Sequence, residues 1–270
     1  MKRPDERGVT LIELLVVLML LSLILTAAIK TWDVTLQRGR FEQTRQKLDR
    51  LAKVITGDPN YVVDGVRADF GFVGDMGALP RTLADLVESP SWVSPPESSL
   101  WRGPYVKPTF AESPEGYRID AWGDTIIFDK DSMFLRSYGG GGLVDRSRWL
   151  TRPLGYTEND LLHNNVQGII NDQRGNPPPQ NDSFYIRNAI KVELDYPRQG
   201  VRYVDAYMLR KEDNGNFSFL DVPQGVHTLR VILMRIYPPG QPWDTVTKMV
   251  TVFPKVGAPG LEIRMNCLWE

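Results

Sequence analysis

The chain of 270 residues contains a single cysteine, Cys267, so no disulfide can close within it and a multi-cysteine zinc site is excluded. Only two histidines, His163 and His227, are present, which leaves no histidine-rich metal cluster. An excess of one charge is missing as well. Lys and Arg number 32 against 33 Asp and Glu, a net charge of -1, so nothing draws the chain as a whole toward nucleic acid. The sequence has no G-x-S-x-G or H-E-x-x-H motif, and the glycines at 139 to 142 are not followed by the Lys-Ser/Thr of a phosphate-cradling loop. Acidic pairs such as Asp129 and Asp131 fall at a strand turn, where carboxylates are ordinarily solvated. The residues therefore predict no enzyme. With 42% hydrophobic and 24% charged residues, the composition is that of a globular protein.

One long apolar run departs from that average. Val9 to Ile29 holds only Thr10, Glu13, Ser22 and Thr26 as polar members. As a helix it spans about 30 Å, the thickness of a bilayer's hydrocarbon, and predicts one membrane crossing. Lys2, Arg3 and Arg7 precede the run, with Lys30 and Trp32 after it. By the distribution of basic residues the N-terminus stays cytoplasmic and the C-terminal part is exported. Small Gly8 lies before the run, whereas a secretory signal has its cleavage site after the apolar region. Glu13 is costly in lipid, and no basic residue stands within the run, so a partner from elsewhere is expected.

The segment Gly8-Val9-Thr10-Leu11-Ile12-Glu13-Leu14-Leu15 resembles the processing site of type IV pilins and of the pseudopilins of type II secretion. That resemblance implies cleavage after Gly8 by a prepilin peptidase, N-methylation of Val9, and an assembly role for Glu13. The family usually has phenylalanine where Val9 stands. The amine of Val9 in one subunit could then neutralise Glu13 of its neighbour in low dielectric. An uncleaved signal anchor whose glutamate snorkels to the interface is the plain alternative.

Beyond residue 29 the spacing of Val34, Phe41, Leu48 and Ile55, with Leu51 and Val54 on the same side, predicts an amphipathic continuation over 30–56. Gly39 interrupts it and Gly57-Asp58-Pro59 ends it. Residues 57–172 read as a head with a short helix over 82–87 and an antiparallel meander of Tyr117 to Ile119, Thr125 to Phe128 and Phe134 to Ser137. The words Leu79-Pro80, Trp101-Arg-Gly-Pro-Tyr105, Asp120-Ala-Trp-Gly123 and Ser137-Tyr-Gly139, in this order, resemble the head of the major pseudopilin, although Ala121 stands where that family commonly has proline. The family binds calcium in a loop after these strands, which makes Asp145, Glu158 and Asp160 the candidate oxygen ligands. A glycine loop with solvated acids is the other reading, and the loop is longer than the family pattern.

Residues 173–182, with Pro177-Pro-Pro179, read as a stiff connector. From 183 to 270 six alternating runs, Tyr185 to Leu194, Val201 to Leu209, Asn216 to Leu220, Val226 to Ile236, Thr245 to Phe253 and Leu261 to Met265, predict a β-sandwich. Asn214-Gly215 predicts a tight hairpin. The stretch from Phe217 to Val231 resembles a transthyretin-like or carboxypeptidase-regulatory-like accessory module. His227 shares the phase of Leu229 and Val231 and reads as structural, and Trp243 and Trp269 read as core or rim.

The fold class expected is α+β: a long helix packed on a small antiparallel head, then a sandwich. The function expected is a filament subunit of a type II secretion system in a bacterial inner membrane, its soluble domains periplasmic or carried in a filament. Its partners would be prepilin peptidase, other pseudopilins and itself, and the inner-membrane assembly platform. Two other readings stay open: a minor type IV pilus subunit with an adhesive role, and a membrane-anchored periplasmic binding protein.

Overall fold

The computed structural model describes residues 11–94, 99–106, 113, 115–236 and 242–269. The dominant element is a single helix, α1 (Leu11–Thr56), about 70 Å long. It runs through Gly39 without a break, contrary to the interruption expected there. No neighbouring group lies within 4 Å of where a Cβ would stand on Gly39, so its only effect is the modest entropic cost of glycine in a helix. Gly57, at φ 83°, ends the helix.

After α1 come a two-stranded ribbon, β1 (Val62–Val63) with β2 (Val66–Arg67), and α2 (Gly71–Met76). A 3-10 turn, Leu83–Leu86, follows, and the Asp85 carboxylate caps it by accepting the amides of Arg81 and Thr82 at 2.7 and 3.3 Å. The meander is antiparallel and comprises β3 (Ile127–Asp129), β4 (Phe134–Ser137) and β5 (Leu150–Pro153).

Tyr117 to Ile119, expected as its first strand, forms instead a 3-10 turn over Gly116–Arg118 and a lone bridge from Ile119 to Thr125. The Lys47 ammonium donates to the carbonyls of Gly116 and Ile119 at 2.8 and 2.9 Å, taking acceptors that a ladder would need. The head core gathers Leu48, Leu51 and Ile55 of α1 with Phe72, Val73, Met76, Leu86, Leu135 and Leu150. Burial of each large side chain contributes about 1.5–3 kcal/mol.

A short helix, α3 (Glu158–Leu162), leads into the C-terminal domain. That domain starts earlier than expected. Strand β6 (Asn164–Asn171) lies on the N-terminal side of the proline-rich segment, yet it is the middle strand of a sheet with β9 (Asn216–Val222) and β12 (Ala258–Arg264). It pairs antiparallel with β9 and parallel with β12. The second sheet has the order β11 (Pro242–Val252), β10 (Gly225–Arg235), β7 (Asn188–Arg198), β8 (Val201–Met208), all antiparallel.

Residues 173–182 are therefore an internal connection of the sandwich, not a linker between domains. The amide of Gln173 donates to the Cys267 carbonyl at 3.0 Å, the Trp269 indole donates to Asn176 at 2.7 Å, and Pro178 is buried. Seven strands, against six expected, make the sandwich among the described residues.

Two local expectations change in the same region. Residues 185 to 187 belong to α4 (Asp182–Arg187), which Asn181 caps by accepting the Phe184 amide at 2.8 Å, so the strand begins only at Asn188. Asn214 and Gly215 do take left-handed φ values, 49° and 81°. They do not join a hairpin, however, because β8 and β9 belong to opposite sheets; the Gly215 carbonyl already accepts from Ile170 of β6.

The sandwich core packs Ile190, Val192 and Leu194 of β7 and Leu229, Val231 and Leu233 of β10 against Val166, Ile170, Phe217 and Phe219. Trp269 meets Phe184 edge to face, with ring centroids 5.8 Å apart, and Arg235 lies 4.4 Å over the ring of Trp243.

Candidate functional site

The part of α1 nearest its N-terminus buries nothing within the chain. Its most apolar 18-residue window has mean hydropathy 2.7 with 0% of it buried, and the helix is long and apolar enough to cross a membrane. Leu11, Ile12, Leu14 and Leu15 are all more than half exposed. The hydroxyls in and beyond this stretch turn inward: Ser22 donates to the Met19 carbonyl at 2.8 Å, Thr26 to Ser22 at 2.7 Å and Thr31 to Ala27 at 3.0 Å. Each satisfies its donor on its own helix, as an apolar surrounding demands.

Glu13 stands in the first turn, where the helix dipole favours a carboxylate. It is exposed among the leucines and is the single ionisable residue between Leu11 and Ile29. Gly8 and Val9, the expected cleavage and methylation residues, lie outside the described residues.

Burial on α1 begins at Thr44 and continues through Leu48, Leu51, Ala52, Ile55 and Thr56. The stripe predicted from sequence is thus split: Val34 and Phe41 remain about half exposed, at 50% and 47%, while Leu48 and Ile55 fall to 2% and 0%. Polar contacts extend the grip on the helix. Gln37 accepts the Trp122 indole N–H at 3.0 Å, Thr44 accepts the Ala121 amide at 3.1 Å, and Asp49 pairs with Arg152 of β5. Asp120 holds this turn together, accepting the amides of Trp122 and Asp124, each at 2.9 Å, and the hydroxyl of Ser137 at 2.5 Å. Trp101 and Tyr105 act similarly elsewhere in the head. The Trp101 indole donates to the Asp85 carbonyl at 2.9 Å and the Tyr105 hydroxyl to Asp75 at 2.9 Å.

The candidate calcium ligands are not gathered into a site. Asp145 caps the 3-10 turn Arg146–Arg148, accepting the Ser147 amide and hydroxyl and lying 3.4 Å from Arg148. The Ser147 hydrogen bonds hold its carboxyl below the usual range. Glu158 faces Lys130 at 3.5 Å. Asp160 closes a reciprocal cap with Thr157 at the start of α3, and those bonds lower its pKa. Among the described residues no group of three or more His, Cys, Asp or Glu side chains is placed to hold a metal ion.

Sequence reasoning missed the joint between the two domains. The turn between β9 and β10 carries Gln224, wholly buried, whose amide donates to the carbonyls of Thr56 and Phe70 at 2.9 and 3.1 Å. The turn between β7 and β8 presents Gly200, which donates to Met76 at 2.7 Å and accepts from Leu100 at 2.8 Å. Gly77, with φ 58°, approaches so closely that a Cβ would stand 2.0 Å from the Pro197 carbonyl oxygen. A cleft of about 500 Å³ opens beside this joint, lined by Asp75, Arg102 and Tyr105 of the head and Tyr196, Arg202 and His227 of the sandwich. Burial raises the Asp75 carboxyl and pushes Tyr196 up to about 12.

Residues 3–29 match the family described as the prokaryotic N-terminal methylation motif. Over 145 residues the chain is 29% identical to type II secretion system core protein G of Xanthomonas campestris pv. campestris, a match that covers 53% of this chain and 88% of that protein.

Proposed function

We propose, from the premise that the chain belongs to the pseudopilin and type IV pilin family, that it serves as a filament subunit of a type II secretion system. One observation carries this reading: α1 is continuous, bare and apolar around Glu13, yet buried in the chain's own head from Thr44 onward. Such a helix needs two surroundings. Lipid suits the exposed half before assembly, and the apolar stems of neighbouring copies suit it afterward.

Prepilin peptidase would cut after Gly8 and expose the amine of Val9. That amine would meet Glu13 of an adjacent subunit in low dielectric, where opposite charges interact strongly. The N-terminus would face the cytoplasm and both globular domains the periplasm, with the inner-membrane platform extracting subunits.

The docking of the sandwich on the head favours a minor or terminal position. Gln224 and Gly200 fix its bulk against the head, and in a repeating lattice every neighbour would have to clear it. In sheared filaments this chain is expected at well below one copy per major subunit.

The deciding experiment is the intact mass and N-terminal sequence of the membrane protein, with and without co-expressed prepilin peptidase. A mature chain starting at Val9 with one added methyl group is expected. Retention of residues 1–8 beside an active peptidase would overturn the proposal in favour of a permanent anchor.

A further inference from the structure

We propose that the loop joining β4 to β5 rests on the surface of the bilayer that α1 enters, where it engages anionic phospholipid headgroups. The inference rests on the reading of α1 as a membrane anchor.

The loop's level along α1 follows from what holds its two ends. Arg152 of β5 pairs with Asp49, while Trp149, three residues earlier, shares a groove with Phe41 and Arg45. Going back along β5 therefore descends the helix toward its N-terminus. At the other end of the loop, Gly140 lies against Trp122, where a Cβ would stand 2.5 Å from the indole. Trp122 in turn is bonded to Gln37.

Gln37 follows Ile29, the last residue of the apolar run, by about 12 Å of helix. The polar layer of a bilayer occupies about 5–8 Å on each side of its hydrocarbon, and a tilted helix brings one side of the head closer. Side chains that project from this loop can thus reach the headgroups.

The projecting groups suit that surface. Leu143 and Val144 are 70% and 94% exposed, an adjacent apolar pair that the fold of this chain leaves in water. Exposed Arg146 and Arg148 follow them. The base of the loop is fixed, since the Trp149 indole donates to the Gly142 carbonyl at 2.9 Å and Arg146 lies 5.5 Å over the Trp149 ring. Exposed Arg38 and Arg40 occupy the same level of the helix, beyond Lys30. Acids are interspersed, Asp33, Glu42, Asp124 and Asp145, but Asp145 is already bonded to Ser147 and close to Arg148. An apolar tip flanked by arginines is the composition of an anionic-interface binder.

The test uses the full chain carrying Cys267→Ser and Val144→Cys, labelled at 144 with an environment-sensitive fluorophore. It is reconstituted in vesicles of phosphatidylcholine with about one-third phosphatidylglycerol, with spin-labelled lipid as quencher. A second preparation carries the label at Trp32→Cys. Quenching at both positions is expected, with that at 144 falling about twofold or more in pure phosphatidylcholine and in an Arg146→Gln/Arg148→Gln variant. Quenching at 32 without quenching at 144 would overturn the inference while leaving the anchor intact. Quenching at 144 indifferent to lipid charge and to both arginines would overturn headgroup recognition. Absence of quenching at both positions would overturn the anchor reading, and this inference with it.

Discussion

The side-chain amide of Gln224, in a turn of the sandwich, donates to the carbonyl of Thr56, the last residue of α1, across 2.9 Å. One wholly buried glutamine thereby ties the end of the long helix to the far domain. Its second bond, to Phe70, joins the segment that leads into α2.

Gln224→Ala removes both bonds, while the Thr56 carbonyl keeps the Arg67 guanidinium at 2.7 Å and the Phe70 carbonyl keeps the Gly74 amide at 3.0 Å. It is expected to cost about 1–3 kcal/mol in urea denaturation of the detergent-solubilised full chain. An unchanged midpoint would show that the two domains hold together without it.

The two halves of the helical stripe should separate cleanly. Leu51 is 1% exposed, so Leu51→Ala is expected to destabilise the head by about 2–5 kcal/mol. Phe41 is 47% exposed, so Phe41→Ala should cost monomer stability clearly less, about 1 kcal/mol. Filament yield after shearing should nevertheless fall for Phe41→Ala if that face packs on neighbouring subunits.

Glu13→Leu should leave cleavage after Gly8 intact and impair incorporation into filaments. Mass spectrometry of the membrane fraction reads the first and immunoblotting of sheared filaments the second. Normal incorporation would remove the role assigned to the carboxylate.

Acid should loosen the joint between the domains through His227. Burial lowers the pKa of this histidine, whose Nε2 lies 2.7 Å from the Pro223 carbonyl. The unfolded state then binds the proton more readily than the folded one, so stability rises with pH. Its contribution is complete above the unfolded value of about 6.5 and is lost as pH falls below it, until the folded pKa is passed. Thermal midpoints measured from pH 7.5 down to about 5, above the carboxylate range, should fall less steeply for His227→Gln than for the wild type.

Calcium should have little effect. With Asp145 and Asp160 engaged in caps and Glu158 facing Lys130, the thermal midpoint of the full chain should be the same in about 5 mM calcium as in chelator. A clear upward shift would show that other oxygen ligands complete a site.

Much of this molecule was legible in short stretches of sequence. The apolar run and the heptad-like spacing to Ile55 were enough to place the long helix, because a helix reports its surroundings through the polarity of residues a few positions apart. Alternation located most strands of the sandwich for the same reason, and Asn214-Gly215 announced its own left-handed backbone. What tertiary structure alone decided were relations between distant segments. Local pattern cannot say that β6 pairs with β12 across some 90 residues, that the proline-rich segment is stitched to Cys267 and Trp269, or that β8 and β9 part to opposite sheets. Nor can it foresee Lys47 capturing the carbonyls of a would-be strand, three acids held in separate local contacts, or Gln224 reaching Thr56. Each depends on which surfaces meet after collapse, when a buried polar group takes the partner that the packing brings to it.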